Sequence, residues 1–157
     1  MTCIMLQKII IFSAAQAVYQ NIPSSNEQEY LENLLYSKFY DSQNPLDAHG
    51  SLRLAYHSCM GFGCHGCLNV YDEENTGLDK WLEMQFEIWT NEKDNIGGIS
   101  FADFMNAAAC IATRILVTDD VLIYDQPVSY YTQFNYGRTD CSTAPYTDID
   151  HCCQRLT

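Results

Sequence analysis

Apolar positions recur at helical spacing in four stretches of the chain. Over residues 25–40, Tyr30, Leu31, Leu34, Leu35 and Phe39 fall along one side, and Ser25 with Gln28 makes a capping-box start. Over residues 47–60, Leu52, Ala55, Tyr56 and Cys59 share a face, and over 77–90 Leu78, Trp81, Leu82, Ile88 and Trp89 do the same. The clearest pattern starts at Ser100, an N-cap residue type, with Asp103 at the third helical position. Its apolar face runs Phe101, Ala102, Met105, Ala108, Ala109 and Ala112, and such small residues predict close packing on another helix. Asn95-Ile96-Gly97-Gly98 reads as a connecting turn. After Arg114 the period is lost: residues 115–124 are apolar and β-branched, and Pro127, Gly137 and Pro145 punctuate the rest of the chain. That segment predicts loop with at most a short strand. The sum is an all-α fold of several helices with irregular loops.

Length and composition narrow the setting. A chain of 157 residues suits one domain, and 47% hydrophobic with 18% charged residues is a globular balance. The N-terminus has the order of a secretory signal: Lys8, the apolar run Ile9 to Ala15, then Ala15-Gln16-Ala17 as a small-x-small cleavage site. Residues 1–17 are therefore expected to be a signal peptide and residues 18–157 the secreted, extracellular domain. The apolar run is too short to span a bilayer. Removing it takes away Lys8 and no acidic residue, so the formal net charge moves from −12 to −13. A surface that acidic argues against nucleic acid and membrane as partners, since both require basic patches. Seven cysteines remain after Cys3 is removed, and an oxidising compartment would pair most of them, leaving one over.

The candidate chemistry begins with Arg53 and His57. They are one helical turn apart, so a helix sets both side chains on one face. A neutral imidazole beside a guanidinium suits heterolytic cleavage of a peroxide: the imidazole moves a proton from the near oxygen to the far one, and the guanidinium stabilises the departing hydroxide. By spacing alone, an exposed polar helix face is the commoner meaning of such a pair. Cys64-His65-Gly66-Cys67 also has the C-x-x-C spacing of redox or zinc sites. The redox reading needs a βαβ setting that the pattern lacks, and the zinc reading needs a second pair, for which Cys152-Cys153 is the one source. Structural disulfides are the simpler reading.

Five segments carry a family resemblance. Leu52-Arg53-Leu54-Ala55-Tyr56-His57 resembles the distal helix of plant-type (non-animal) haem peroxidases, and Cys59 and Cys64 match the cysteine pair that follows it in the secreted members. Glu74-Asn75-Thr76-Gly77-Leu78 is similar to the E-x-N-x-G-L stretch of ascorbate-type peroxidases. Ile99-Ser100-Phe101-Ala102-Asp103 and Gly137-Arg138-Thr139-Asp140 resemble the family's [IV]-S-x-A-D helix and G-R-x-D loop. The resemblance covers about residues 46–147. It implies a haem b peroxidase that reduces hydrogen peroxide with a small organic electron donor, as in a response to oxidative stress. Arg53 and His57 would be the distal catalytic pair, Tyr56 the aromatic residue over the haem face, and Asn75 the acceptor for a His57 ring N–H. Asp103, Arg138 and Asp140 would be structural. Cys59–Cys64 is the implied disulfide, with Cys67–Cys141 preferred among the remaining pairings.

Two departures qualify that picture. Secreted plant peroxidases place Asp directly after the distal histidine and another Asp in the following loop as Ca²⁺ ligands, where this chain has Ser58 and His65. A hydroxyl and an imidazole replace hard anionic oxygens poorly, so that Ca²⁺ site is expected to be lost and no metal is expected. The family's proximal histidine also lies on a helix well past the G-R-x-D loop, whereas Thr157 stands 17 residues beyond Asp140. The one histidine there, His151, lies in a segment unlike the proximal helix. The chain is thus expected to represent the distal half of the domain, with haem binding and turnover impaired. The alternative is a non-catalytic, secreted acidic matrix or interaction protein derived from a peroxidase.

Overall fold

The computed structural model describes residues 22–60, 64–118, 134–141 and 145. Four α-helices run in chain order: α1 (Ser25–Phe39), α2 (Ala48–Met60), α3 (Asp79–Glu92) and α4 (Phe101–Thr118). A 3-10 turn, Glu73–Asn75, lies between α2 and α3. The all-α expectation therefore holds. The expected signal peptide lies outside the described residues, and no helix within them is long and apolar enough to cross a membrane.

Helix α1 begins one residue earlier than Ser25 and Gln28 suggest. Ser24 is the N-cap, its hydroxyl accepting from the Glu27 N–H, while the Glu27 carboxylate accepts from the Ser24 N–H at 2.6 Å. A carboxylate at the third helical position answers the orphan N–H groups better than the Gln28 amide, which instead donates to the Pro23 carbonyl. Leu31, Leu35 and Phe39 are buried along the inner side. Tyr30, expected on that side, turns outward and donates its hydroxyl to Glu92 at 2.8 Å.

Helix α3 starts two residues later than the period suggests because Gly77 adopts φ +81°, a left-handed conformation that a helix cannot contain. Leu78 and Leu82 are buried, and Trp89 donates its indole N–H to the Ile99 carbonyl at 2.9 Å. Phe86 meets Phe101 edge-on at 5.1 Å between ring centres, which joins α3 to the start of α4.

Helix α4 is the spine of the core. From Phe101 to Ala112, only Asn106 and Cys110 escape full burial. Ser100 caps it as expected, accepting from the Asp103 N–H at 3.0 Å. The expectation of loop after Arg114 was wrong, since α4 continues to Thr118. β-Branched residues weaken a helix by only a few tenths of a kcal/mol each, roughly, and packing outweighs that. Ile115 lies against the core, while Arg114 pairs with Glu32 of α1 at 2.7 Å and sits over the Tyr36 ring. The possible strand beyond, over residues 119–124, lies outside the described residues.

Helices α2 and α4 form the most extensive helix–helix interface. The buried residues of α2 are Gly50, Ser51, Leu54, Ala55 and Ser58; of the expected Leu52, Ala55, Tyr56 and Cys59, Ala55 is buried, Leu52 and Cys59 are partly buried and Tyr56 faces outward. The two serines are buried with partners: the Ser51 hydroxyl accepts from the Gln85 amide of α3 at 2.9 Å, and the Ser58 hydroxyl from the Gly66 N–H at 3.2 Å. Leu54 is fully buried in that seam, which stabilises by about 1.5–3 kcal/mol relative to exposure. Gly50 continues the close fit: a Cβ there would lie 2.8 Å from the Trp81 indole. This rotation leaves Tyr56 on the outside.

Candidate active site

The outward face of α2 carries Arg53, Tyr56, His57 and Met60, at helical spacing along one side. Arg53 and His57 are on one face, as their spacing predicts. Tyr56 is 62% exposed and Met60 55% exposed, whereas His57 is half-buried. The Tyr56 and His57 rings meet edge to face with centres 5.6 Å apart. Met60 escaped the sequence reading. Extending the Arg53–His57 face by one more step of three would have found it.

Asn75 reaches this region through the 3-10 turn. Asp72 caps the turn by accepting from the Glu74 N–H at 3.0 Å. Arg53 then docks the turn against α2, donating to the Glu74 carbonyl at 2.8 Å and to the Thr76 carbonyl at 3.4 Å. Those two carbonyls flank Asn75, so the guanidinium that begins the pair also fixes the third residue. Asn75 is buried and donates its Nδ2 to the Asn69 carbonyl at 2.8 Å. That bond orients the amide, and the buried Oδ1 has no donor. The expected bond from the His57 ring is therefore not made in this structure. An unanswered buried acceptor costs about 1–3 kcal/mol, so Asn75 offers an open position beside the Arg53 face.

The residues expected to be structural form a closed network at the start of α4. The Asp103 carboxylate, fully buried, accepts from the Gly137 N–H at 2.7 Å and from the Arg138 guanidinium at 2.9 Å. The Asp140 carboxylate accepts from the Phe101 N–H at 2.9 Å and the Ala102 N–H at 2.7 Å. Two carboxylates thus answer a helix N-terminus and the 134–141 segment together, where the helix dipole favours negative charge. Tyr136 packs nearby, its hydroxyl buried without a partner. Burial first, then the Asp103 charge, pushes that phenol well above the usual tyrosine range.

Both expected disulfides, Cys59–Cys64 and Cys67–Cys141, are present. The two cysteines of the C-x-x-C thus belong to different bridges. Cys110 is the free cysteine among the described residues, and burial raises its thiol pKa. His49 and His65 are exposed, and His151, Cys152 and Cys153 lie outside the described residues. A shallow pocket where Lys38, Asp41, Glu87 and Glu92 meet includes none of the candidate residues.

The residues of this surface suit the haem that the resemblance implies. An apolar, aromatic helix face with a cation, an imidazole and an open buried acceptor is a donor set that fits the distal side of such a group. No curated protein and no solved structure gives a match to the chain. A family model described as Peroxidase matches residues 29–153, which includes the Arg53–His57 helix, the Asn75 turn and the Asp103–Arg138 network, and on that match the chain belongs to the peroxidase family.

Proposed function

We propose that this chain carries the peroxide-handling side of a secreted haem peroxidase that reduces hydrogen peroxide with a small organic electron donor. The open Oδ1 of Asn75, beside a turn that Arg53 itself holds, is the observation that carries the reading. On this reading one His57 ring N–H would donate to that oxygen when the site is assembled. The other ring nitrogen would then be unprotonated and free to take a proton from bound peroxide. His57 would return that proton to the far oxygen as it leaves. Arg53, using the N–H groups its carbonyl contacts leave over, would stabilise the negative charge that develops on it. Haem b, when bound, would supply the redox chemistry, and Arg53, Tyr56 and His57 would line its distal side. The proximal ligand is not among the residues assigned here. Two disulfides support an oxidising compartment.

The test is a haemin titration of the chain, followed by visible absorption and by turnover of hydrogen peroxide with a phenolic donor. With no proximal ligand assigned, a weak haem band and slow turnover are expected, and that turnover should fall on the order of 10²–10⁴-fold in His57→Ala while the band persists. No band and no turnover would reject the enzymatic reading in favour of a non-catalytic acidic protein of this family. Turnover unchanged by His57→Ala would reject the site.

A further inference from the structure

The segment after α2 differs from the calcium loop that the resemblance implies, and the structure shows what its residues do instead. Ser58 and His65 stand where secreted plant peroxidases have Asp ligands. Ser58 is buried, and its hydroxyl accepts from the Gly66 N–H at 3.2 Å, so its lone pairs face a protein donor. His65 sets Nδ1 3.3 Å from the Thr139 carbonyl. Neither offers the anionic oxygen that Ca²⁺ requires. These residues do not fit the ion.

A protein-built strap stands in the same place. Cys59, in the last turn of α2, is bridged to Cys64, and Cys67 is bridged to Cys141. Backbone bonds follow the same route: Cys141 N–H donates to the His65 carbonyl at 3.0 Å and Leu68 N–H to the Pro145 carbonyl at 3.1 Å. Gly66, at φ +71°, presses against α4 so closely that a Cβ would lie 2.8 Å from the Ala102 nitrogen. Asp140, next to Cys141, holds the first two N–H groups of α4. The C-terminal end of α2 is thereby connected, through two consecutive disulfides, to the capped start of α4. His57 lies two residues before Cys59, within that reach.

We propose that the Cys67–Cys141 bridge, added to the Cys59–Cys64 bridge that the resemblance already implies, takes over from the calcium site, so that the end of α2 carrying His57 is held in place by thiol oxidation and not by Ca²⁺. Three consequences separate the two arrangements. The fold should ignore calcium and chelator. It should respond to reductant. The response should concentrate at the two places the strap joins. The idea goes beyond the proposed peroxidase reaction and does not depend on it, because its test needs neither haem nor turnover.

The experiment compares thermal unfolding of the oxidised chain in calcium chloride, in EGTA and after mild reduction with alkylation. The melting temperature is expected to agree within about 1 °C between calcium and EGTA. Opening the long Cys67–Cys141 loop should lower it by on the order of 10 °C. Amide hydrogen exchange, read below the melting range, should quicken after reduction at residues 57–60 and 101–103 more than in α1. The Cys67→Ser/Cys141→Ser double variant should show the same local change without reductant, and the reduced wild-type chain carries the same reading if that variant fails to fold. Saturable luminescence on terbium titration together with a calcium-raised melting temperature would overturn the proposal. So would exchange at both segments that reduction leaves unchanged.

Discussion

The start of α4 and the outward face of α2 belong to helices that share the broadest interface in the molecule, and they treat polar groups in opposite ways. At the start of α4 the helix N–H groups and the charges answer one another, with the Tyr136 hydroxyl as the exception: Asp140 takes the Phe101 and Ala102 N–H groups, Ser100 takes that of Asp103, and the Asp103 carboxylate takes Gly137 and Arg138. On α2, Tyr56 and Met60 face outward and the neighbouring Asn75 keeps a buried acceptor unanswered. Groups that satisfy each other have little left for a ligand, so the first region is built for stability. A surface with unused hydrogen-bonding capacity and exposed apolar side chains has been left open for something else. Both regions carry polar residues that the resemblance singles out, and on the proposed reading the difference in their partners separates structural residues from chemical ones.

The comparison is broken most severely at Asp103. Asp103→Ala leaves the Gly137 N–H without its acceptor and strips the Arg138 guanidinium of its carboxylate, in a site with no water-facing alternative for Asp103. Removing one member of a buried pair costs about 3–5 kcal/mol. Because Arg138 keeps 30% of its side chain exposed, the lower half of that range is expected. Urea unfolding monitored by far-ultraviolet circular dichroism should show the midpoint falling accordingly. A loss below about 1 kcal/mol would mean that the network is ornamental and that the contrast with α2 fails.

Gly66→Ala acts on the same region from the strap side and should have a smaller effect. Its φ of +71° disfavours any L side chain, and the added methyl meets α4 backbone, which cannot swing away as a long side chain would. The expected loss is about 1–3 kcal/mol by urea midpoint. A neutral outcome would show that the segment shifts freely against Ala102 and does not hold it.

The helices and the Ser100 cap were legible because each rests on local periodicity or on residues at fixed spacing, whereas the two disulfides came from the resemblance, Cys67–Cys141 only as a preference among the remaining pairings. What sequence reading missed depended on neighbours far along the chain. The inner face of α2 was assigned to Leu52, Ala55, Tyr56 and Cys59 on hydrophobicity, yet Ser51 and Ser58 are buried there because Gln85 and Gly66, distant in the chain or beyond the helix, supply hydrogen-bond donors. Helix α4 outran its apparent end because Glu32 and Tyr36 of α1 hold Arg114. The proposed site, Arg53, His57 and Asn75, was named through the resemblance as residue types. Its construction was not: nothing in the spacing indicates that the guanidinium of Arg53 grips the carbonyls on either side of Asn75. Nor does the resemblance foretell that Asn75 Oδ1 stays open while His57 points elsewhere.

The smallest expected effect sharpens the comparison from the other side. Tyr56→Ala and His57→Ala, made separately, should each change unfolding free energy by no more than about 0.5 kcal/mol. Tyr56 is mostly in solvent, so truncation opens no cavity, and its ring contact with His57 is the principal thing lost. Such edge contacts contribute about 0.5–1.5 kcal/mol when buried and less when one partner is wet. His57 leaves Asn75 Oδ1 as unanswered after the change as before it, because no bond joins them in this structure. A histidine that could be removed without cost to the fold, on a helix whose other side is packed against α4, is one the fold does not require. Urea denaturation of the two variants beside Asp103→Ala measures this directly. If His57→Ala lost more than about 1 kcal/mol, the outward face of α2 would be structural as well, and the distinction between the two regions would fall.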